Sequence, residues 1–295
     1  MSVWLPTSPC TPESCLTDPG PTVSAPRRTA RGAAAAAALL AGVLAARFVP
    51  GWGRVPALRD ALLRRWTRTV VGALGVRLRV TGAAPQPGGV LLVANHVSWL
   101  DIVLFGTVRP GPMVAKTEVG SWPLLGPLTT RGSTIFVDRD RIRRLPETVG
   151  QIADALRAGR AVGVFPEGST WCGRAGGTFR RAAFQAALDA GVPVQPVTIR
   201  YLLADGAPST AAAFVGDDEL LPSIRRVLAA RGLVAELTFH PPVSGTDRRE
   251  LARAAEAAVG SPPAAGHLVA PRPAVAPGAV PAQVRRRAGS TAAWR

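Results

Sequence analysis

A histidine and an aspartate stand five residues apart in the stretch Val90-Leu-Leu-Val-Ala-Asn-His96-Val-Ser-Trp-Leu-Asp101. On a continuous helix that spacing would turn the two side chains roughly 140° apart, and they could not meet. Across a strand-to-helix corner they can converge. Val90 to Val93 is a short aliphatic run entered from Pro87-Gly-Gly, which reads as a buried strand following a turn. Ser98 can cap a helix, with Asp101 three residues on reaching back to the capping backbone. His96 is then expected where the strand ends and Asp101 in the first turn of the helix. A carboxylate that holds one imidazole nitrogen leaves the other aimed outward as a base. The same pair could do no more than tie down the corner, and these residues alone leave both readings open.

Other chemistry-bearing side chains sit in the same kind of place. Met113-Val-Ala leads to Lys116, Thr134-Ile-Phe-Val137 to Asp138-Arg139, and Ala161 to Phe165 to Pro166-Glu167-Gly168. Helical spacing at Leu145, Val149, Ile152, Ala153 and Leu156 separates two of these runs, and Gly159 stops that helix. Further alternation follows. A helix is expected over 179–190, a strand over 194–201, a helix over 224–230, a strand over 234–239 and a helix over 247–259. An edge strand precedes them all at 76–81. Strands alternating with helices imply an α/β fold, a central mixed β-sheet flanked by helices. In such sheets polar residues just past the strand ends gather along one rim, where ligands bind.

The chain has 295 residues and a formal net charge of +16, nearly all of it arginine, since Lys116 is the only lysine. A basic surface could serve nucleic acid or anionic lipid. One tyrosine and the absence of Cys/His finger spacing argue against nucleic acid, so a membrane surface is the better reading. A non-catalytic basic protein that binds lipid or nucleic acid is the alternative from another class. Cys10 and Cys15 lie in a Pro/Ser/Thr-rich stretch and Cys172 is remote in sequence, which is neither a disulfide framework nor a metal site. No metal-ligand cluster or glycine-rich nucleotide loop is seen, so no metal and no cofactor are expected.

Residues 1–31 lack hydrophobic periodicity and are expected to form a disordered tail. The alanine-dominated run over 32–46 is shorter than the ~20 residues of a spanning helix. From Leu58 to Leu74, Leu62, Leu63, Trp66, Val70 and Leu74 can share one helical face while arginines spread over the rest. Residues 32–75 therefore read as a membrane-associated helical segment, or equally as helices packed on the domain. Residues 76–260 form the main domain, and the Pro/Ala/Arg-rich stretch 261–295 is expected to be a second disordered tail.

Asn95-His96-Val-Ser-Trp-Leu-Asp101 resembles the NHx4D signature of the glycerolipid acyltransferases, the lysophosphatidic acid acyltransferase family. Three more blocks follow in family order. Gly132-Ser-Thr-Ile-Phe-Val-Asp138-Arg139 is similar to the second, Phe165-Pro166-Glu167-Gly168-Ser169 to the third and Val192-Pro193-Val194-Gln-Pro196-Val197 to the fourth; Lys116-Thr-Glu118 sits where the family often has a Lys-x-Glu element. The resemblance implies transfer of a fatty acyl group from acyl-CoA or acyl carrier protein to a lysolipid hydroxyl, at the cytoplasmic face of the cell membrane. It implies His96 as general base oriented by Asp101, direct transfer without an acyl-enzyme, and an acceptor site drawn from Lys116, Arg139, Glu167, Gly168 and Ser169. Cys172 is the challenger as a nucleophile, although no histidine is adjacent to it in sequence. Members acting on lysophosphatidic acid commonly read Glu-Gly-Thr-Arg, whereas this chain reads Glu167-Gly168-Ser169-Thr170. The missing guanidinium leaves two acceptors in view: 1-acyl-sn-glycerol-3-phosphate, giving phosphatidic acid, and a non-phosphomonoester such as lyso-ornithine lipid. Arg174, Arg180 or Arg181 could compensate for the lost charge.

Overall fold

The computed structural model describes residues 7–17, 20–48, 56–117, 134–138 and 141–260. Arg139 and the stretch 261–295 lie outside them. Among the described residues a five-stranded sheet forms the centre. Its strands are β1 (Arg77–Gly82), β2 (Val90–Ala94), β5 (Ala161–Val164), β6 (Val194–Leu202) and β7 (Val234–Phe239), in the order β1-β7-β6-β2-β5. All neighbours run parallel except β6 and β7, which are antiparallel. The sheet is therefore mixed, as the alternation predicts. Two short strands, β3 (Val114–Lys116) and β4 (Ile135–Val137), pair in parallel, and a parallel bridge from Met113 to Gly163 sets β3 beside β5.

Strand β2 is buried on both faces, which explains its unbroken aliphatic sequence. Leu91 and Val93 point into a core shared with Ile152 and Leu156 of helix α5 (Leu145–Arg157), Phe184 of α6 (Ala182–Ala190) and Leu251 of α8 (Arg248–Val259). Val90, Leu92 and Ala94 point the other way, into a core with Leu100, Leu104 and Phe105 of α4 (Leu100–Val108) and Val227 of α7 (Leu220–Ala229). Each such aliphatic contributes about 1.5–3 kcal/mol relative to exposure. The position of β2 is thus fixed from both sides, and with it the corner that β2 leads into.

The N-terminal region departs from expectation. Residues 25–31, assigned above to a disordered tail, are the first turns of a long helix, α2 (Ala25–Phe48). Pro21 and Val23 bond the α7–β7 connection through Arg231 N and Ala229 O. Arg31 donates Nη1 to the carbonyls of Leu228 (2.9 Å) and Ala230 (2.8 Å), a cation closing the carbonyl end of α7. Further upstream, Thr11 and Ser14 form a reciprocal capping box around the short helix α1 (Pro12–Cys15). Cys10 and Cys15 are buried beside Cys172, so the three cysteines are not remote in space. Composition reads this stretch as unstructured because its order comes from contacts with distant residues, not from local periodicity.

Helix α3 (Pro56–Ala73) divides the two readings of the amphipathic segment. Val70, Val71 and Leu74 are buried against the domain, and Trp66 donates its indole N–H to Ala38 O of α2 at 2.8 Å. The opposite ends of the pair leave Leu39, Leu40, Leu44, Leu58 and Leu62 exposed. No described helix is long and apolar enough to cross a membrane.

Candidate active site

The parallel pairing of β2 with β5, Val93 opposite Val164, brings two strand ends out on the same edge of the sheet. One delivers Asn95 and His96, the other Phe165, Pro166 and Glu167. Strands β3 and β4, parallel to β5, bring Lys116 and Asp138 to that edge as well. Asn95 anchors the exit of β2. Its side chain accepts from Ile199 N (2.8 Å) and donates to Ile199 O (2.9 Å), imitating one more residue of β-ladder against β6.

At the corner the chain turns as the spacing requires. His96 Nδ1 lies 2.9 Å from Asp101 Oδ2, and the same oxygen accepts the backbone N–H groups of Val97 (2.7 Å) and Ser98 (2.9 Å). Asp101 reaches back as expected for a capping residue. Ser98 differs in detail: its hydroxyl accepts from Leu100 N at 3.2 Å, not from the residue three positions on. Asp101 is fully buried, whereas the His96 side chain keeps 18% of its surface open. A buried carboxylate fixed by three donors holds the imidazole in the tautomer that carries its proton on Nδ1 and leaves Nε2 as the basic nitrogen. Phe165 stacks on the ring with centroids 3.9 Å apart and planes 7° from parallel, and Phe105 closes edge-on against Phe165. The imidazole can therefore neither tilt nor flip without breaking packing.

A residue unmarked in the sequence completes the corner. Tyr201, fully enclosed on β6, donates its hydroxyl to Asp101 Oδ1 at 2.7 Å. Burial, then the negative charge of Asp101, push its own ionisation well above the usual phenol range, so it is a donor at any working pH. The signal for it was available but faint: it is the chain's single tyrosine and falls on the strand parity of Val197 and Ile199.

Glu167 is turned inward. Its Oε2 accepts His96 N at 2.7 Å and its Oε1 accepts Gly177 N at 2.9 Å. Burial raises its pKa to about 8, while the two backbone donors pull less strongly the other way. Its carboxyl thus engages the protein's own backbone directly behind the histidine. Gly168 turns the chain away with φ +74°, a left-handed conformation that a side chain would strain. The hydroxyl of Ser169 and the indole N–H of Trp171 are buried with no partner among the described residues. Trp171 N donates to His96 O at 2.7 Å. Cys172 is buried, and its thiol is pushed up to about 12, first by its hydrogen bond with Cys10 and then by burial. That makes it a poor nucleophile. Arg180 and Arg181, offered above as compensating cations, line a groove of about 510 Å³ with Arg249 and Arg253, whose lining does not include His96 or Glu167.

The sequence that builds this corner matches a known family. The family model described as Acyltransferase matches residues 77–200. A lyso-ornithine lipid O-acyltransferase of Pseudomonas aeruginosa is 43% identical over 215 residues, covering 72% of this chain and 81% of the relative. The chain belongs to the acyltransferase family. A 1-acyl-sn-glycerol-3-phosphate acyltransferase of Neisseria meningitidis is 35% identical over 188 residues, 63% of this chain and 73% of that one. The fold is shared with the crystal structure of a 1-acyl-sn-glycerophosphate acyltransferase from Thermotoga maritima, at a TM-score of 0.57 and 21% identity, over 79% of this chain and 91% of the other. As a member of this family the protein is an O-acyltransferase acting on lipid substrates.

Proposed function

We propose that this acyltransferase moves a fatty acyl group from acyl-CoA or acyl carrier protein to the hydroxyl of a lyso-ornithine lipid, with His96 as general base. The observation that carries the mechanism is the 2.9 Å bond between His96 Nδ1 and Asp101 Oδ2. A lipid alcohol has a pKa far above neutral and needs a base as it attacks. His96 Nε2 takes that proton while the alcohol oxygen bonds to the thioester carbonyl carbon. Asp101 stabilises the resulting imidazolium. As the tetrahedral adduct collapses, the C–S bond breaks and the imidazolium returns the proton to the departing thiolate. Ser169 Oγ, buried and without a partner among the described residues, is available as a donor on the acceptor side. Glu167 and Gly168 shape that side by fixing the backbone behind His96, and Lys116 and Arg139 supply cations for an anionic head group.

The acceptor reading rests on Thr170, which stands where a phosphomonoester-binding member carries arginine. A phosphomonoester dianion needs more cationic partners than an ornithine head group, which brings its own ammonium beside its carboxylate. The 43% identical relative is named for that acceptor. The second reading, 1-acyl-sn-glycerol-3-phosphate, is favoured by the Neisseria relative. Purified protein is offered acyl-CoA or acyl carrier protein with each lysolipid in turn, and His96→Ala serves as the blank. Product from lyso-ornithine lipid in preference to lysophosphatidic acid supports the first reading, and the reverse preference selects the second. Equal product from wild type and the His96→Ala variant sinks the mechanism.

The exposed leucines of α2 and α3, with arginines around them, suit docking on an anionic bilayer. The site would then work at the membrane surface, on the cytoplasmic side where the acyl carriers are.

A further inference from the structure

All three cysteines of the chain converge on one point. Cys10 and Cys15 flank and close the short helix α1, and Cys172 follows the Glu167 loop. Their sulfur atoms lie within 4.8 Å of one another, and the residues keep 1%, 0% and 1% of their surface. We propose that Cys10, Cys15 and Cys172 bind a soft divalent cation, Zn²⁺ being the natural one, and that the ion fastens the N-terminal segment to the loop beside His96. This site stands apart from the dyad and does not depend on the acyl-transfer reading.

The distances suit the ion. Tetrahedral zinc with sulfur at about 2.3 Å holds its ligands about 3.8 Å apart. Thiols already within 4.8 Å need only small side-chain rotations to close on it. The donor set is soft throughout, with no carboxylate or carbonyl cage for a hard cation. Binding releases the thiol protons and leaves one tetrahedral position for a water, since no fourth ligand side chain joins the group among the described residues.

Packing alone accounts poorly for the segment. Of residues 7–16 only Cys10 and Cys15 are buried. A four-residue helix cannot hold itself in water, and two small side chains with one half-buried leucine, Leu16, remove little apolar surface. Elsewhere this core is built mainly from Val, Leu, Ala and Phe, with Ile199 and Tyr201. Yet the segment is seated closely: a Cβ at Gly216 would lie 3.1 Å from the Cys10 carbonyl. The chain it rests on braces the histidine, because Trp171 N bonds His96 O and Phe214 N bonds Val97 O at 3.0 Å. A metal there would stiffen both supports of the catalytic turn.

The test uses the full chain, purified anaerobically with a phosphine reductant and stripped of metal. Co²⁺ is titrated in and thiolate-to-cobalt charge-transfer absorption is read. The expected result is saturation at about one ion per chain, with bands displaced by Zn²⁺. Cys10→Ser, Cys15→Ser and Cys172→Ser should each weaken binding at least about tenfold. Zn²⁺ should also slow alkylation of Cys10 and Cys15. Wild-type protein without charge-transfer bands would overturn the site, whatever the variants do. So would alkylation rates indifferent to Zn²⁺, or a Cys10–Cys172 disulfide as the main form in cells lysed into alkylating agent.

Discussion

The hydroxyl of Tyr201 and the carboxylate of Asp101 meet at 2.7 Å, on the side of Asp101 away from His96. One carboxylate oxygen serves the imidazole and two backbone amides, and the other serves the phenol. The tyrosine therefore positions the group that positions the base. It also draws negative charge away from the imidazole. Tyr201→Phe should lower kcat roughly tenfold, the worth of one hydrogen bond to a charged group, with little change in KM for the acceptor. A purely structural tyrosine would lower thermal stability and leave kcat at saturating substrate in place.

His96→Ala should cost about 10²–10⁴ in kcat, the range for loss of a general base. Asp101→Asn is the sharper test. An amide can keep its oxygen on the Val97 and Ser98 N–H groups and turn its N–H₂ to the Tyr201 hydroxyl, which can accept, but it cannot stabilise an imidazolium as a carboxylate does. It should fold and bind acceptor while losing a comparable factor in kcat. Initial-rate kinetics at saturating acyl-CoA, with circular dichroism as the folding control, separates the two effects.

Glu167 makes a prediction about stability. Its folded-state pKa, about 8, lies above the carboxylate value of 4.5, so the folded protein binds this proton more tightly than the unfolded chain does. The contribution is therefore full below about pH 4.5 and declines as pH rises toward about 8. Glu167→Gln removes the titration. It should flatten that part of the pH–stability curve, while costing about 1–3 kcal/mol because an amide N–H₂ now faces either His96 N or Gly177 N. Chemical denaturation across this pH window compares the two slopes. Equal slopes would mean that some other group carries the dependence.

The parts of the site written locally were legible in the sequence. His96 and Asp101 share one corner, the strand runs before Lys116 and Glu167 end as expected, and the helix and strand order follows the hydrophobic periodicity. Tyr201 was not legible because its partnership depends on β6 lying beside β2, a fact of sheet order that no local pattern reports. The inward turn of Glu167 was hidden for a related reason: its partners, His96 N and Gly177 N, are backbone groups brought near only by folding. Cys10 and Cys15 were misplaced because composition describes a segment in isolation, and theirs is ordered by residues far along the chain.

The α2–α3 pair carries the last prediction. Trp66 ties the two helices together, and the inner face is tied to the domain by Arg31 and by Arg68, the latter donating to Thr107 O at 3.0 Å. Deleting the pair would therefore remove part of the fold along with any lipid contact. Point changes on the outer face avoid this. Leu40, Leu44 and Leu58 remain 58%, 45% and 57% exposed and touch little that the domain needs. Changing all three to Ser should cost no more than about 1.5 kcal/mol of stability, about 0.5 for each surface substitution. Co-sedimentation with vesicles containing anionic lipid should weaken about tenfold or more, since the apolar area each leucine can bury in the interface is lost. Raising salt should weaken wild type and variant alike, because the arginines remain. Undiminished sedimentation of the triple variant would place the membrane-binding surface elsewhere on the molecule.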